Sequence, residues 1–237
     1  MYRPGFTADP GLGWHRICLF ADDYGKYDVM KKNVTACSWL TGAALFSLFV
    51  TSGAWAADIS RLAESCAGCH GKDGVSHESD VPIIAGYSSP YIGDSLTAYR
   101  KKEQACPEIK YRDGNKKGEK TDMCRVAEAL SDADIAQLGK YFAGKKFVRA
   151  QQTFDSALAQ KGAQIHERSC EKCHTEGGSQ ASDDSGILAG QWMPYLKEVF
   201  TELSTGKRPM SKKMKPKIDS LQPEDFDALA NYYASFK

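Results

Sequence analysis

Residues 66–74 read CAGCHGKDG and residues 170–178 read CEKCHTEGG: two copies of C-x-x-C-H, each followed by a glycine-containing turn. The flanking sequence repeats with them. Gly86 follows His70 by sixteen residues, inside Ile83-Ile84-Ala85-Gly86, and Gly190 follows His174 by sixteen, inside Ile187-Leu188-Ala189-Gly190. Pro90-Tyr91-Ile92 then matches Pro194-Tyr195-Leu196, so the offset holds at 104. Further on, Met123, Leu130, Ile135, Leu138 and Tyr141 match Met214, Leu221, Phe226, Leu229 and Tyr232 at an offset of 91, which leaves 13 extra residues in the first copy between Tyr91 and Met123. Register kept through so many positions points to two similar small domains in tandem.

Each copy reads as helical, and the expected fold class is all-α. Ile59, Leu62, Ala63 and Cys66 fall at i, i+3, i+4 and i+7, one face of a helix entering the first motif, with Asp58 as its N-cap. Residues 157–168 play the same part before the second motif. Ser131-x-x-Asp134 opens a closing helix with Ile135, Leu138 and Phe142 on one face. Pro223 opens its counterpart, with Phe226, Leu229 and Tyr233 facing inward. No convincing alternating strand lies between these helices. At ~80–90 residues each lobe is close to the size at which an apolar core alone is marginal, so something else should fill the centre.

The chain has 237 residues with 31 Lys+Arg against 30 Asp+Glu, a balance that does not suggest a nucleic-acid partner. Met30-Lys31-Lys32, an apolar run over 39–50 and Ala54-Trp55-Ala56 together read as a secretory signal peptide cleaved after Ala56. The run is shorter than the ~20 apolar residues of a membrane span, so no stable membrane insertion is expected. The domain reading is therefore an upstream start-site artefact over 1–29, a signal peptide over 30–56, an N-terminal domain over 57–146, a linker over 147–156 and a C-terminal domain over 157–237. Cleavage removes Cys18 and Cys37, leaving six of the eight cysteines in an oxidising compartment, the periplasm.

C-x-x-C-H reads as c-type haem attachment. Two thiols three positions apart can form thioethers with the two vinyl groups of one porphyrin, and the next histidine then stands over the iron. Cys66, Cys69 and His70 would bind one haem; Cys170, Cys173 and His174 would bind a second. A thioredoxin-like redox pair would need a βαβ context, and a structural zinc site needs four ligands, whereas each motif offers three and then repeats its whole surroundings. A sixth iron ligand should recur in both halves. Met123 and Met214 do so, each seven residues before a matched leucine, and His/Met ligation raises a haem potential. Met210 is the alternative to Met214. His77 and His166 lack counterparts and read as surface or packing residues.

Cys106 and Cys124 remain. The simplest reading is a disulfide pinning the extra loop beside Met123; free thiols or a separate metal site are the alternatives. Lys207, Arg208, Lys212, Lys213, Lys215 and Lys217 form a run without an acid around Met214. The plain reading is a solvated face; the functional one is a rim that steers a negatively charged redox partner.

The second half resembles the dihaem cytochrome subunit of flavocytochrome c sulfide dehydrogenase. The likeness is carried by Phe154-Asp155-Ser156-Ala157-Leu158-Ala159, by Cys170-Glu171-Lys172-Cys173-His174-Thr175-Glu176-Gly177-Gly178, by Ile187-Leu188-Ala189-Gly190-Gln191-Trp192-Met193-Pro194-Tyr195-Leu196, and by Arg208-Pro209-Met210-Ser211-Lys212-Lys213-Met214. It runs from about Tyr141 to the end. Residues 57–140 match the general two-domain pattern shared with cytochromes c4, and the loop holding Cys106 and Cys124 departs from the sulfide dehydrogenase cytochromes. The resemblance implies two covalently bound haem c groups, an FAD-bearing partner subunit that oxidises sulfide, and a soluble cytochrome c as acceptor. It also implies that the N-terminal haem faces the flavoprotein, and that the chain transfers electrons without being an enzyme by itself. A free cytochrome c4-like carrier serving a terminal oxidase is the alternative. A dihaem peroxidase would need an open iron position, which matched methionines argue against.

Overall fold

The computed structural model describes residues 52–237, with side chains from Ile59 onward. The upstream segment 1–29 lies outside the described residues, as does the signal peptide expected over 30–56 apart from its last few backbone positions. The described part of the chain belongs to one compact unit.

The first lobe holds α1 (Ser52–His70), α2 (Ser89–Arg100), α3 (Met123–Glu128) and α4 (Asp132–Ala143). The second holds α5 (Ser156–Ser169), the single turn α6 (Thr175–Gly178), α7 (Met193–Ser204), α8 (Lys215–Asp219) and α9 (Pro223–Ala234). The chain is thus mostly helical, as expected. Helix α1 starts ahead of Asp58, so that residue lies inside the helix rather than capping it. The stretch Ser52-Gly53-Ala54-Trp55-Ala56-Ala57 contains three alanines and no proline, so nothing stops the helix from extending backward. At α5, Asp155 is the N-cap and accepts from the Ala157 and Leu158 N–H groups at 2.8 and 2.9 Å. Ser131 and Asp134 form the reciprocal capping box of α4.

The sequence repeat is visible in individual hydrogen bonds. Gly74 O accepts from Ile84 N and Ala85 N at 2.8 and 3.1 Å; Gly178 O accepts from Leu188 N and Ala189 N at 2.8 and 3.2 Å. Gly86 N donates to Phe142 O, and Gly190 N to Tyr233 O, both at 2.8 Å. Gly74, Gly86, Gly178 and Gly190 all have φ between 74° and 80°, a left-handed backbone that favours glycine. In each lobe the helix entering the motif packs against the closing helix, α1 on α4 and α5 on α9. The second crossing is so close that a Cβ on Gly162 would lie 2.1 Å from Ala228 O.

Ala63, Ile92, Leu138 and Phe142 centre the first core; Leu196, Phe200, Ile218 and Leu229 centre the second. The lobes join through matched positions. Gln191 is fully buried and satisfies all its amide atoms. Its Nε2 donates to Ile83 O and Tyr87 Oη at 2.9 and 2.8 Å, while its Oε1 accepts from Ile83 N and Trp192 N, both at 3.0 Å. Tyr87 and Gln191 are the same repeat position, and one bonds the other, as a pseudo-two-fold contact requires. The linker is tied into this seam, with Ala150 N donating to Gly190 O at 2.8 Å and Gln152 Oε1 accepting from Met193 N at 2.8 Å.

The extra residues of the first copy form a short antiparallel hairpin, β1 (Ile109–Lys110) and β2 (Lys120–Thr121). Two-residue strands are too short to show an alternating pattern, which is why none is legible in the sequence. Cys106 and Cys124 are joined in a disulfide across 18 residues. Their sulfurs are therefore committed to each other, and nearby Asp122 does not make a metal site with them. Replacing both cysteines with alanine should cost about 3 kcal/mol by the loop-closure estimate. Urea unfolding of the variant checks this, and an unchanged midpoint would contradict it.

Candidate functional site

Helix α1 continues through the first motif and ends on His70, so Cys66 and Cys69 lie one turn apart on neighbouring positions of one face. Gly71, with φ 73°, turns the chain away, and a Cβ there would sit 2.2 Å from Val75 O. His70 is 8% exposed and its Nδ1 lies 2.9 Å from Pro82 O. A carbonyl only accepts, so Nδ1 carries the proton and Nε2 keeps its lone pair, the state a metal ligand needs. Such a second bond fixes the ring and raises its basicity toward metal. Burial lowers the His70 pKa, with Pro82 O opposing, so the ring is neutral at pH 7. Burial pushes the Cys66 thiol up to about 11.

These residues open onto an apolar cleft walled by side chains of both lobes. Ile84, Ile92, Leu96, Leu138 and Phe142 line it, and so does Met123, the first residue of α3, held there by its N-cap Asp122. Two thiols, a neutral imidazole and a thioether around an apolar slot fit the ligand chemistry of an iron porphyrin.

The second motif has a different backbone. Helix α5 ends at Ser169, and 170–174 are wound in turns, with His174 N donating to Cys170 O at 3.0 Å. The position matching Pro82 is Gly186. His174 is largely buried and its Nδ1 has no hydrogen-bond partner, a costly state, ~1–3 kcal/mol, for a polar group. Burial again lowers the pKa, reinforced by His166 and opposed by Asp183. Met210 and Met214 both pack with Cys170 against the second core, and Met214 directly precedes α8. This geometry keeps both methionines as candidates.

Several features were not legible beforehand. His166 is 1% exposed, a packing residue rather than a surface one, with Tyr233 Oη 2.9 Å from its Nδ1 and Glu171 Oε2 2.7 Å from its Nε2. Arg208 does not belong to the exposed basic rim. Its Nε donates to Glu202 Oε2 at 2.8 Å, with the two side chains only 11% and 7% exposed. With its amide oxygen turned inward, Gln104 of the insertion accepts from both terminal nitrogens of Arg208 at 3.0 and 2.9 Å and from Tyr99 Oη at 2.7 Å. Arg208 and Tyr195, both from the second lobe, line the cleft of the first. A lone arginine in a lysine run carries no sign of this; the nearby Glu202, inside an apolar helix, is the one hint.

Breaking this buried pair should be costly. Arg208→Gln strands Glu202 and is expected to destabilise the protein by about 3–5 kcal/mol, while adding Glu202→Gln should recover much of that loss. Denaturant midpoints of the single and double variants test it; equal midpoints for the two would contradict it.

Comparison with known proteins adds the following. Residues 56–144 match the family model described as "Cytochrome c". Residues 157–232 match the model described as "Cytochrome C oxidase, cbb3-type, subunit III". The chain is 32% identical over 83 residues to cytochrome c-554(548) of Halomonas halodenitrificans, covering 35% of this chain and 86% of that protein. It is 28% identical over 180 residues to cytochrome c4 of Stutzerimonas stutzeri, covering 70% and 82%. It is 32% identical over 92 residues to the thiosulfate dehydrogenase electron acceptor of Stutzerimonas stutzeri (strain A1501), where the match takes in 38% of this chain but only 35% of that protein.

Among solved structures, cytochrome c4 of Acidithiobacillus ferrooxidans superposes with a TM-score of 0.58 at 26% identity, over 73% of this chain and 99% of that one. The thiosulfate dehydrogenase TsdBA of Marichromatium purpuratum gives 0.59 at 26% identity, over 73% of this chain and 36% of that one.

Proposed function

The chain belongs to the cytochrome c family, and on that premise we propose that it is the periplasmic electron-accepting subunit of a sulfide dehydrogenase. On this reading its partner is an FAD-bearing subunit and a soluble cytochrome c takes the electrons onward. The protein is a cytochrome c4-like dihaem electron carrier, with two tandem cytochrome c domains and two covalently bound haem c groups.

We assign attachment to Cys66 and Cys69 in the domain over 57–146, and to Cys170 and Cys173 in the domain over 157–237, with 147–156 as linker. We assign iron ligation to His70 and Met123 in the first and to His174 and Met214 in the second. Haem iron supplies one-electron chemistry. His70 is oriented by Pro82 O, the apolar walls exclude water, and Tyr195 and Arg208 close the first cleft from the second lobe. The observation that carries the relay is this shared wall: residues of one lobe complete the cofactor cleft of the other. A flavin on the partner would take two electrons from sulfide and each haem iron would accept one, so two centres on one compact unit would suit the division.

The choice of sulfide rests on the sequence blocks from Phe154 to Met214. Thiosulfate is the second reading, favoured by the likeness to a thiosulfate dehydrogenase electron acceptor. Export by a cleaved signal peptide over 30–56 belongs to both; among the described residues no helix is long and apolar enough to cross a membrane.

The test is purification from the native source with whatever stays bound. Co-elution of an FAD protein, with haem reduction by sulfide only in its presence, supports the first reading. Reduction by thiosulfate through a different partner supports the second. A chain that elutes alone, and whose removal leaves sulfide oxidation unchanged, contradicts both and leaves the free carrier.

A further inference from the structure

The two lobes repeat each other, yet the faces around their motifs are unlike. In the first lobe the inserted hairpin lies over the motif. Gly68 O accepts from Arg112 N at 2.7 Å and from Asp113 N at 3.0 Å, and a Cβ on Gly68 would meet the Tyr111 ring at 3.0 Å. Cys69 is 9% exposed beneath it. Charges on and beside the hairpin are mixed in sign: Arg112 pairs with Asp80, Lys120 with Glu108 and Arg125 with Asp122, while the exposed Lys110, Lys116 and Lys117 stand among Asp113 and Glu119.

Among the described residues no such cover lies over the second motif, where Cys173 is exposed. The lysines here are also exposed, and among the described residues Lys207, Lys212, Lys213 and Lys217 make no ion pair; only Lys215 does, with Asp219. Met210 and Met214, inside this basic segment, pack with Cys170 against one core, which sets the segment beside the motif.

We propose that the lobes are unequal in use: the second lobe, through the exposed lysines around its open motif, is the docking face for an acidic redox protein, and the disulfide-anchored hairpin closes the matching face of the first. The reason is physical. Electron exchange between proteins needs close approach to the cofactor edge, and a same-sign rim around that edge steers an oppositely charged partner to it. The hairpin removes the approach in one lobe, and the unpaired lysines supply the steering in the other. This assignment concerns the diffusing partner. It stands or falls independently of whether sulfide is the electron source, because it asks only where an acidic protein binds the dihaem chain.

The experiment uses the dihaem holoprotein with flavodoxin, an acidic one-electron protein, as probe. Lysine acetylation followed by peptide mass spectrometry, with and without flavodoxin, is expected to show protection of Lys212, Lys213 and Lys217 but not of Lys116 and Lys117 on the hairpin. The Lys212→Glu/Lys213→Glu variant should weaken flavodoxin binding about tenfold at low salt. The Lys116→Glu/Lys117→Glu variant should change it less than about twofold, since those lysines lie off the docking face. Protection at the hairpin, equal losses in both variants, or no binding by the parent protein at low salt would each overturn the proposal. So would binding to vesicles of anionic phospholipid that the Lys212→Glu/Lys213→Glu variant loses while flavodoxin binding is retained.

Discussion

Replacing Cys170 and Cys173 together with alanine is expected to give a protein with one haem instead of two and a second lobe that no longer folds at physiological temperature. A lobe of ~80–90 residues buries too little apolar surface to be more than marginally stable. A group that binds only the folded lobe adds its binding energy to folding. The second core shows how much depends on it. Cys170, Met210 and Met214 pack against the core that holds Leu196, Phe200 and Leu229. The haem content follows from the pyridine haemochrome spectrum, and the loss of a cooperative unit from thermal unfolding followed by circular dichroism. Two haems per chain in this variant would show that the assigned cysteines are wrong.

The second large effect concerns the methionines. Met123 borders the first cleft and Met214 stands at the start of α8, each at the entry of a short helix. Axial ligands set haem potentials over about 0.8 V, and a thioether holds them high. Met123→Ala and Met214→Ala are each expected to lower the potential of one haem, on the order of 0.1 V or more, leaving the other nearly unchanged. Met210→Ala should shift neither. Spectroelectrochemical titration of the three variants decides the matter. A fall on removing Met210, with Met214→Ala silent, would move the ligand four residues upstream.

The helices around each motif were readable because burial imposes a period. Ile135, Leu138 and Phe142 all point into the core, and the capping residues Ser131 and Asp134 make a local bond that needs no tertiary partner. The tandem arrangement was readable because the same hydrogen bonds must be made twice, at Gly74 and Gly178 and at Gly86 and Gly190. The seam between the lobes was not. Gln191 and Tyr87 meet only after the chain has folded back on itself, and nothing near either residue foretells the other.

Arg208 was hidden for a related reason. In sequence it is one more cation in a basic run, and only the approach of α7 with Glu202 and of the insertion with Gln104 withdraws it from solvent. The second motif also departs from the first, since α5 stops at Ser169 where α1 continues to His70. Thr175 and Gly186 stand where the first lobe has Gly71 and Pro82, so a shared motif did not fix a shared local backbone.

Function as a dihaem carrier requires two porphyrins joined to this polypeptide by carbon–sulfur bonds. Intact mass spectrometry under denaturing conditions measures that directly on protein exported from a host able to mature c-type cytochromes. The expected mass is that of the polypeptide plus two haems, neither lost in acidified organic solvent. The bare polypeptide mass, or release of the haems by that solvent, would contradict it.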